Sequence, residues 1–224
     1  MSPEAVSLAA GRTAPRLGRL ISRSIAALTL AVVGLAVHQA PASAATISSD
    51  HVDVLDVDTS GSSVSLNIKT YSPANDNVNP VGTTLAVPAS TLTTVPSGVP
   101  ACLGAAGSAV YRLPQSQQSG ILYAGWNTED ASATTTLELD VANSTVPVGG
   151  KFALYTTGLA YVSVKFNTNT APGCMVASFP GGIPAGSHGH AYWTFSKKGT
   201  YVLKFRATVG ANSSGWISYT FAVG

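Results

Sequence analysis

The sequence predicts an all-β fold, an immunoglobulin-like antiparallel β-sandwich, from three observations. Beyond residue 44, apolar and polar residues alternate with period two in run after run. No apolar stripe with a 3.6-residue period occurs there. Gly, Pro, Asn and Ser cluster between the alternating runs, as turns between short strands require. Many short strands with regular turns favour a sandwich. The Cys…Trp…Cys spacing of a true immunoglobulin domain is absent.

The first predicted strand is His51-Val52-Asp53-Val54-Leu55-Asp56-Val57. Thr59-Ser60-Gly61-Ser62 turns the chain into the second, Ser63-Val64-Ser65-Leu66-Asn67-Ile68-Lys69, where the alternation is clean. Later strands are expected over residues 83–87, 135–141, 151–155, 162–166, 191–195, 201–208 and 216–223. Residues 99–130 carry aromatics and polar groups with little periodicity and are expected to be irregular. Long irregular segments in compact domains are often functional.

Residues 1–44 read as a signal peptide. Arg12, Arg16, Arg19 and Arg23 form a positive region, residues 25–37 are free of charge, and Ala42-Ser43-Ala44 gives the small-x-small cleavage pattern. The uncharged run is short of the ~20 residues a membrane span needs. The expected product is a secreted protein, residues 45–224, forming one domain with no transmembrane helix in the mature chain. No wall-sorting motif follows, so release to the outside is expected, with association to the cell wall left open. The whole chain has a formal charge of +2. Removing the four arginines and Glu4 leaves eight basic and nine acidic residues, a charge of −1. A mature domain with that balance lacks the basic surface that nucleic acid demands.

Cys102 and Cys174 are the only two cysteines, and outside the cell such a pair is expected to form a disulfide. Three of the four histidines lie beyond the leader. His188 and His190 sit at i, i+2, and so do His51 and Asp53. On a strand that spacing points both side chains of each pair to one face. Pairing the two strands would bring four ligands together. His51, His188 and His190, with a carboxylate from Asp53 or Glu129, form a candidate metal site suited to Zn²⁺, and also to Cu²⁺ or Mn²⁺. Gly189 between the histidines lets the backbone bend, and Asp130 is a candidate to orient an imidazole.

Three segments carry a family resemblance: His51-Val52-Asp53-Val54; Val110-Tyr111-Arg112-Leu113-Pro114-Gln115 with Gly125-Trp126-Asn127-Thr128-Glu129; and His188-Gly189-His190-Ala191-Tyr192-Trp193-Thr194-Phe195 followed by Gly199-Thr200-Tyr201. Their order and spacing resemble the actinobacterial surface-anchored protein domain, over about residues 50–224. That domain occurs as a wall-associated repeat and in an "anchored repeat" ABC transporter system. The resemblance implies an extracytoplasmic binding protein that passes a substrate, a metal ion, to a transporter, with ABC transporter components or cell-wall proteins as partners. The chain departs from the family pattern in having one copy of the domain, no wall anchor, Tyr123-Ala124 in place of Trp-Pro, and Tyr192 in place of a smaller polar residue.

Two other readings stay open. Tyr123, Trp126, Asn127, Tyr192 and Trp193 could form an aromatic pocket for a glycan. Alternatively the domain is a structural or adhesive module with no small ligand. Trp193 alternates inward with Phe195, which suits a core position equally. An enzyme is not expected. No Gly-x-Ser-x-Gly elbow and no Walker-type loop is present, and nothing fixes a nucleophile. Glu129 and Asp130 are adjacent, so on a strand they would point to opposite faces and not act as a glycosidase pair.

Overall fold

The computed structural model describes residues 45–224 except Ala160. The expected signal peptide lies outside the described residues. Among them the chain is nearly all β. The strands are β1 (Ala45–Ile47), β2 (Asp50–Ser60), β3 (Ser63–Thr70), β4 (Asp76–Val78), β5 (Thr83–Val87), β6 (Leu92–Thr94), β7 (Ala109–Leu113) and β8 (Leu122–Asn127), followed by β9 (Thr135–Leu139), β10 (Phe152–Thr157), β11 (Val162–Asn167), β12 (His188–His190), β13 (Tyr192–Phe195), β14 (Gly199–Val209), β15 (Asn212–Ser213) and β16 (Ile217–Val223). The only helical pieces described are two single 3₁₀ turns, Ala89–Thr91 and Ala101–Leu103.

Three sheets form. One runs β1-β5-β16-β14-β15, with β9 also on β14; a second runs β11-β10-β13-β7-β6; the third runs β12-β8-β2-β3-β4. Most pairs are antiparallel, as expected, while β1 with β5, β5 with β16, and β2 with β8 are parallel. The expectation that residues 99–130 are irregular is corrected: β7 and β8 lie inside that segment. Neither shows a clean alternation of buried and exposed residues. In β8 the buried Ala124 and Gly125 stand side by side, so burial follows no simple period.

Inward-facing residues make one core. It includes Val52, Val54, Leu55, Val57, Leu66 and Ile68 from β2 and β3, and Phe152, Trp193, Phe195, Phe205, Tyr219 and Phe221 from the other two sheets. Burying each such side chain contributes roughly 1.5–3 kcal/mol. The aromatic rings meet at tilted angles, for example Trp193 and Phe221 at 5.6 Å between centroids. Trp193 also donates its indole N–H to the carbonyl of Ala124 at 3.2 Å. That bond ties the second sheet to the middle of β8 and satisfies the one polar group of a fully buried ring.

Cys102 and Cys174 form the expected disulfide, with Cα atoms 5.2 Å apart and a sequence separation of 72. In the chain-entropy model a closure of that length contributes roughly 4–5 kcal/mol. The Asn169 and Asn167 side-chain amides both donate to the carbonyl of Cys102, at 2.9 and 3.2 Å.

A bulge in β2 positions the functional face. Asp53 pairs with Lys69 of β3, but the next matched pair is Asp56 with Asn67. Three steps on β2 thus answer two on β3. Val54 and Leu55 both turn into the core, and Asp56 returns to the same outer face as Asp53.

Candidate metal centre

The histidines converge, though not by direct pairing of their two strands. β8 lies between β2 and β12, and the register sets His190 opposite Gly125 and Gly125 opposite Asp53. Gly125 is what lets the outer strands touch across the middle one. A Cβ there would lie 2.6 Å from Asp53 Oδ1, 2.7 Å from the carbonyl of Gly189 and 2.8 Å from His190 Cε1. Any side chain at this position would fill the site.

Across that gap, one ligand atom each from His51, Asp53, His188 and His190 lies within 4.8 Å of all the others. His188 Nε2 donates to Asp53 Oδ1 at 2.9 Å. His51 Nε2 is 3.6 Å from the same oxygen and 3.2 Å from His188 Nε2. A tetrahedral ion with bonds of ~2.0–2.1 Å needs ligand atoms about 3.3–3.4 Å apart. The three measured separations bracket that edge. Nδ1 of His190 is buried with no hydrogen-bond partner among the described residues. A carboxylate and three imidazoles gathered this closely suit a bound cation.

Two tyrosines hold the rings. Tyr71 stacks on His51 with centroids 4.0 Å apart and planes 9° from parallel. Its hydroxyl donates to Asp53 Oδ2 at 2.7 Å. That bond occupies one carboxylate oxygen and leaves Oδ1 to face the imidazoles. Tyr123 stacks on His190 at 3.5 Å and 10°. Burial pushes the Tyr71 hydroxyl well up from its ordinary range, and its bond to Asp53 pushes further the same way, so it stays a donor.

Burial also favours neutral imidazoles. His190 is lowered to about 4, first by desolvation and then by His51 and His188, against the opposing pull of Asp53. His51 is lowered by the same burial, and Asp53 again works against it. Neutral imidazole is the form that ligates a metal. Asp53 is fully buried, while the side chains of His51 and His188 are 25% and 31% exposed, so the centre opens to solvent on the histidine side.

Other expected site residues lie elsewhere. Glu129 is exposed and outside the ligand group, although its charge acts on His51. Asp130 pairs with Lys69 at 3.5 Å instead of orienting an imidazole; Tyr71 does that work through Asp53. The aromatic pocket does not assemble. Tyr123 belongs to the histidine group. Trp126 lies on the other face of β8, against Phe179 and over Gly189, where a Cβ would come 2.5 Å from its ring. Trp193 is core. Tyr192 lies under the guanidinium of Arg112 in a different part of the surface.

Asn127 and Thr128 have positional roles. Asn127 is buried, and its Oδ1 accepts the N–H of Glu129 at 2.6 Å to turn the chain out of β8. Thr128 then grips the segment before β12. Its N–H and hydroxyl donate to the carbonyl of Ser187 at 2.8 and 3.1 Å, and the hydroxyl also reaches the carbonyl of Pro184 at 2.8 Å. These bonds fix His188 at the end of β8. The site residues missed from sequence are therefore Gly125, Tyr71 and Thr128. Only register could have revealed them, since none lies next to a histidine in the chain. No protein-family model matches the chain, and no curated protein or solved structure matches it either.

Proposed function

We propose that this protein is a secreted extracytoplasmic binding protein that takes up a divalent transition metal through His51, Asp53, His188 and His190 and passes it to an ABC transporter. The observation that carries the metal reading is the convergence of these four side chains, with one ligand atom of each within 4.8 Å of the others. Three imidazoles and one carboxylate oxygen suit Zn²⁺ first, with Cu²⁺ and Mn²⁺ as further candidates. The bound ion would supply only charge and coordination. The protein supplies neutral imidazoles by burial, one carboxylate oriented by Tyr71, and two rings held by tyrosine stacking. Partial exposure of His51 and His188 leaves an exit, as a carrier needs. The transporter rests on the resemblance to the surface-anchored domain. Secretion rests on the leader pattern, and the disulfide is compatible with it.

The test is competition against a chelator of known affinity, with Zn²⁺, Cu²⁺ and Mn²⁺ in turn. Replacing His188 and His190 by alanine is expected to lower affinity for the preferred ion at least about 100-fold. Equal binding of all three ions by that double variant would end the metal reading.

A further inference from the structure

The second sheet carries a cleft that the histidine centre does not use. One cavity of about 710 Å³ is lined by Arg112, Tyr155, Tyr161 and Tyr192 together with the loop of residues 96–100. A second, of about 310 Å³, has Arg112 and Tyr192 in its wall as well. Its other polar lining comes from Ser90, Thr91, Thr93, Ser116 and Gln118, which are hydroxyls and an amide. The two cavities thus adjoin across Arg112 and Tyr192, an aromatic lobe on one side and a hydroxyl-lined lobe on the other.

Arg112 is the charged group of this cleft. Its guanidinium lies over the Tyr192 ring, 4.9 Å from the centroid, and Tyr155 stands 5.3 Å from Tyr192 on the same wall. No Asp or Glu lines either cavity, and Arg112 makes no salt bridge among the described residues. A flat cation held against a ring, with no protein counter-charge, is set up to receive a planar anion through two parallel N–H bonds. Tyrosine faces take the apolar face of a sugar ring, and tyrosine, serine and threonine hydroxyls both donate and accept toward sugar hydroxyls. Each volume lies in the usual range for a small-ligand site.

From this chemistry we infer a second binding site, at Arg112, Tyr161 and Tyr192 with the buried Tyr155 behind them, for a carboxylate-bearing saccharide. The carboxylate pairs with Arg112, one ring stacks on the exposed Tyr161, and the neighbouring unit lies in the lobe of Ser90, Thr93 and Gln118. An acidic peptide would satisfy Arg112 but has no row of hydroxyls for the second lobe. Unlike the metal reading, this site needs neither the histidines nor an ion.

The test is calorimetric titration of the whole mature chain in buffer containing EDTA, so that no ion bridges ligand and histidines. The probes are a trimer of galacturonic acid, the neutral trimer maltotriose, and triglutamate. The galacturonate trimer is expected to bind saturably, with maltotriose and triglutamate each at least about tenfold weaker. Arg112→Met is expected to weaken the galacturonate trimer about tenfold or more while Zn²⁺ affinity stays unchanged. Tyr161→Ala, at a ring 65% exposed and outside the core, is the second variant and is expected to weaken it severalfold. The inference is overturned if the galacturonate trimer shows no saturation by ~10 mM. It is equally overturned if either control trimer binds as tightly, or if both folded variants bind like the parent.

Discussion

Two neighbouring rows of side chains cross the same face of the third sheet and end in opposite conditions. One runs His190, Gly125, Asp53, Lys69; the next runs His188, Asn127, Asp56, Asn67. Each places a fully or almost fully buried aspartate on β2. In the first row the middle strand offers glycine, so Asp53 is reached by His188 and by the Tyr71 hydroxyl. In the second the middle strand offers Asn127, whose amide oxygen is committed to Glu129. Both oxygens of Asp56 and Nδ2 of Asn127 have no partner among the described residues. Burial, reinforced by Asp58, pushes the Asp56 carboxyl up to about 7, although Lys69 pulls it down. A buried carboxylate is thus partnered or left a burden depending on what the adjacent strand leaves room for.

The sharpest way to break the comparison is to fill the gap in the first row. Gly125→Val is expected to weaken Zn²⁺ binding about 1000-fold or more, since even a Cβ would lie 2.6 Å from Asp53 Oδ1. A chelator competition that gives parent affinity would show that the spacing does not matter.

Next is relief of the second row. Asp56→Asn is expected to raise stability at pH 8 by on the order of 1–3 kcal/mol, and not at pH 4, measured by urea denaturation. The sign follows from the raised carboxyl: the folded state holds its proton up to about 7 against an ordinary 3.8, so the charge penalty grows through that window as pH rises. A gain of equal size at both pH values would show that charge is not the cause.

Tyr71→Phe removes the hydroxyl on Asp53 but keeps the ring on His51. Zn²⁺ affinity should fall about tenfold, and loss of the ring in Tyr71→Ala should cost more. If Tyr71→Phe matches the parent, the hydroxyl does not orient the carboxylate.

The smallest expected effect is the pH slope of the ion-free protein. His190 resists protonation down to about 4 from an ordinary 6.5, and His51 is lowered too. Their contribution is complete above 6.5 and is lost as pH falls toward 4, opposite in sign to that of Asp56 over nearly the same range. The parent should therefore show a shallow slope between pH 4 and 6.5. In Asp56→Asn the same denaturation series should show stability rising clearly with pH.

Period-two alternation made β3, β9, β14 and β16 readable, because in them buried residues alternate with more exposed ones; β2 was readable from the same alternation of residue types, although six of its residues in a row are buried. It failed for β7 and β8, whose buried residues do not fall at every second position. The ligand residues were legible for a related reason: i, i+2 spacing fixes a shared face within a strand. What lies across strands was not. Gly125 is a space and has no chemistry to read, Tyr71 follows a strand that needed no aromatic there, and the aromatic pocket drawn from Trp126, Tyr192 and Trp193 failed because those rings leave their strands toward different faces. Glu129 stays outside the ligand group because the chain turns out of β8 at Asn127, whose Oδ1 accepts the Glu129 N–H.

β12 is only three residues long and is the edge of its sheet, bonded to β8 on one side and held at its start by Thr128. It carries half the ligand group, while His51 and Asp53 sit on an interior strand. An ion gripped here need not lose its contacts singly. One local opening of β12 would withdraw both histidines together and leave the ion on a single imidazole and a carboxylate. Residence time would then follow the fraying of a short edge strand, and a docking partner that pairs with or displaces that edge would control release without touching the ion.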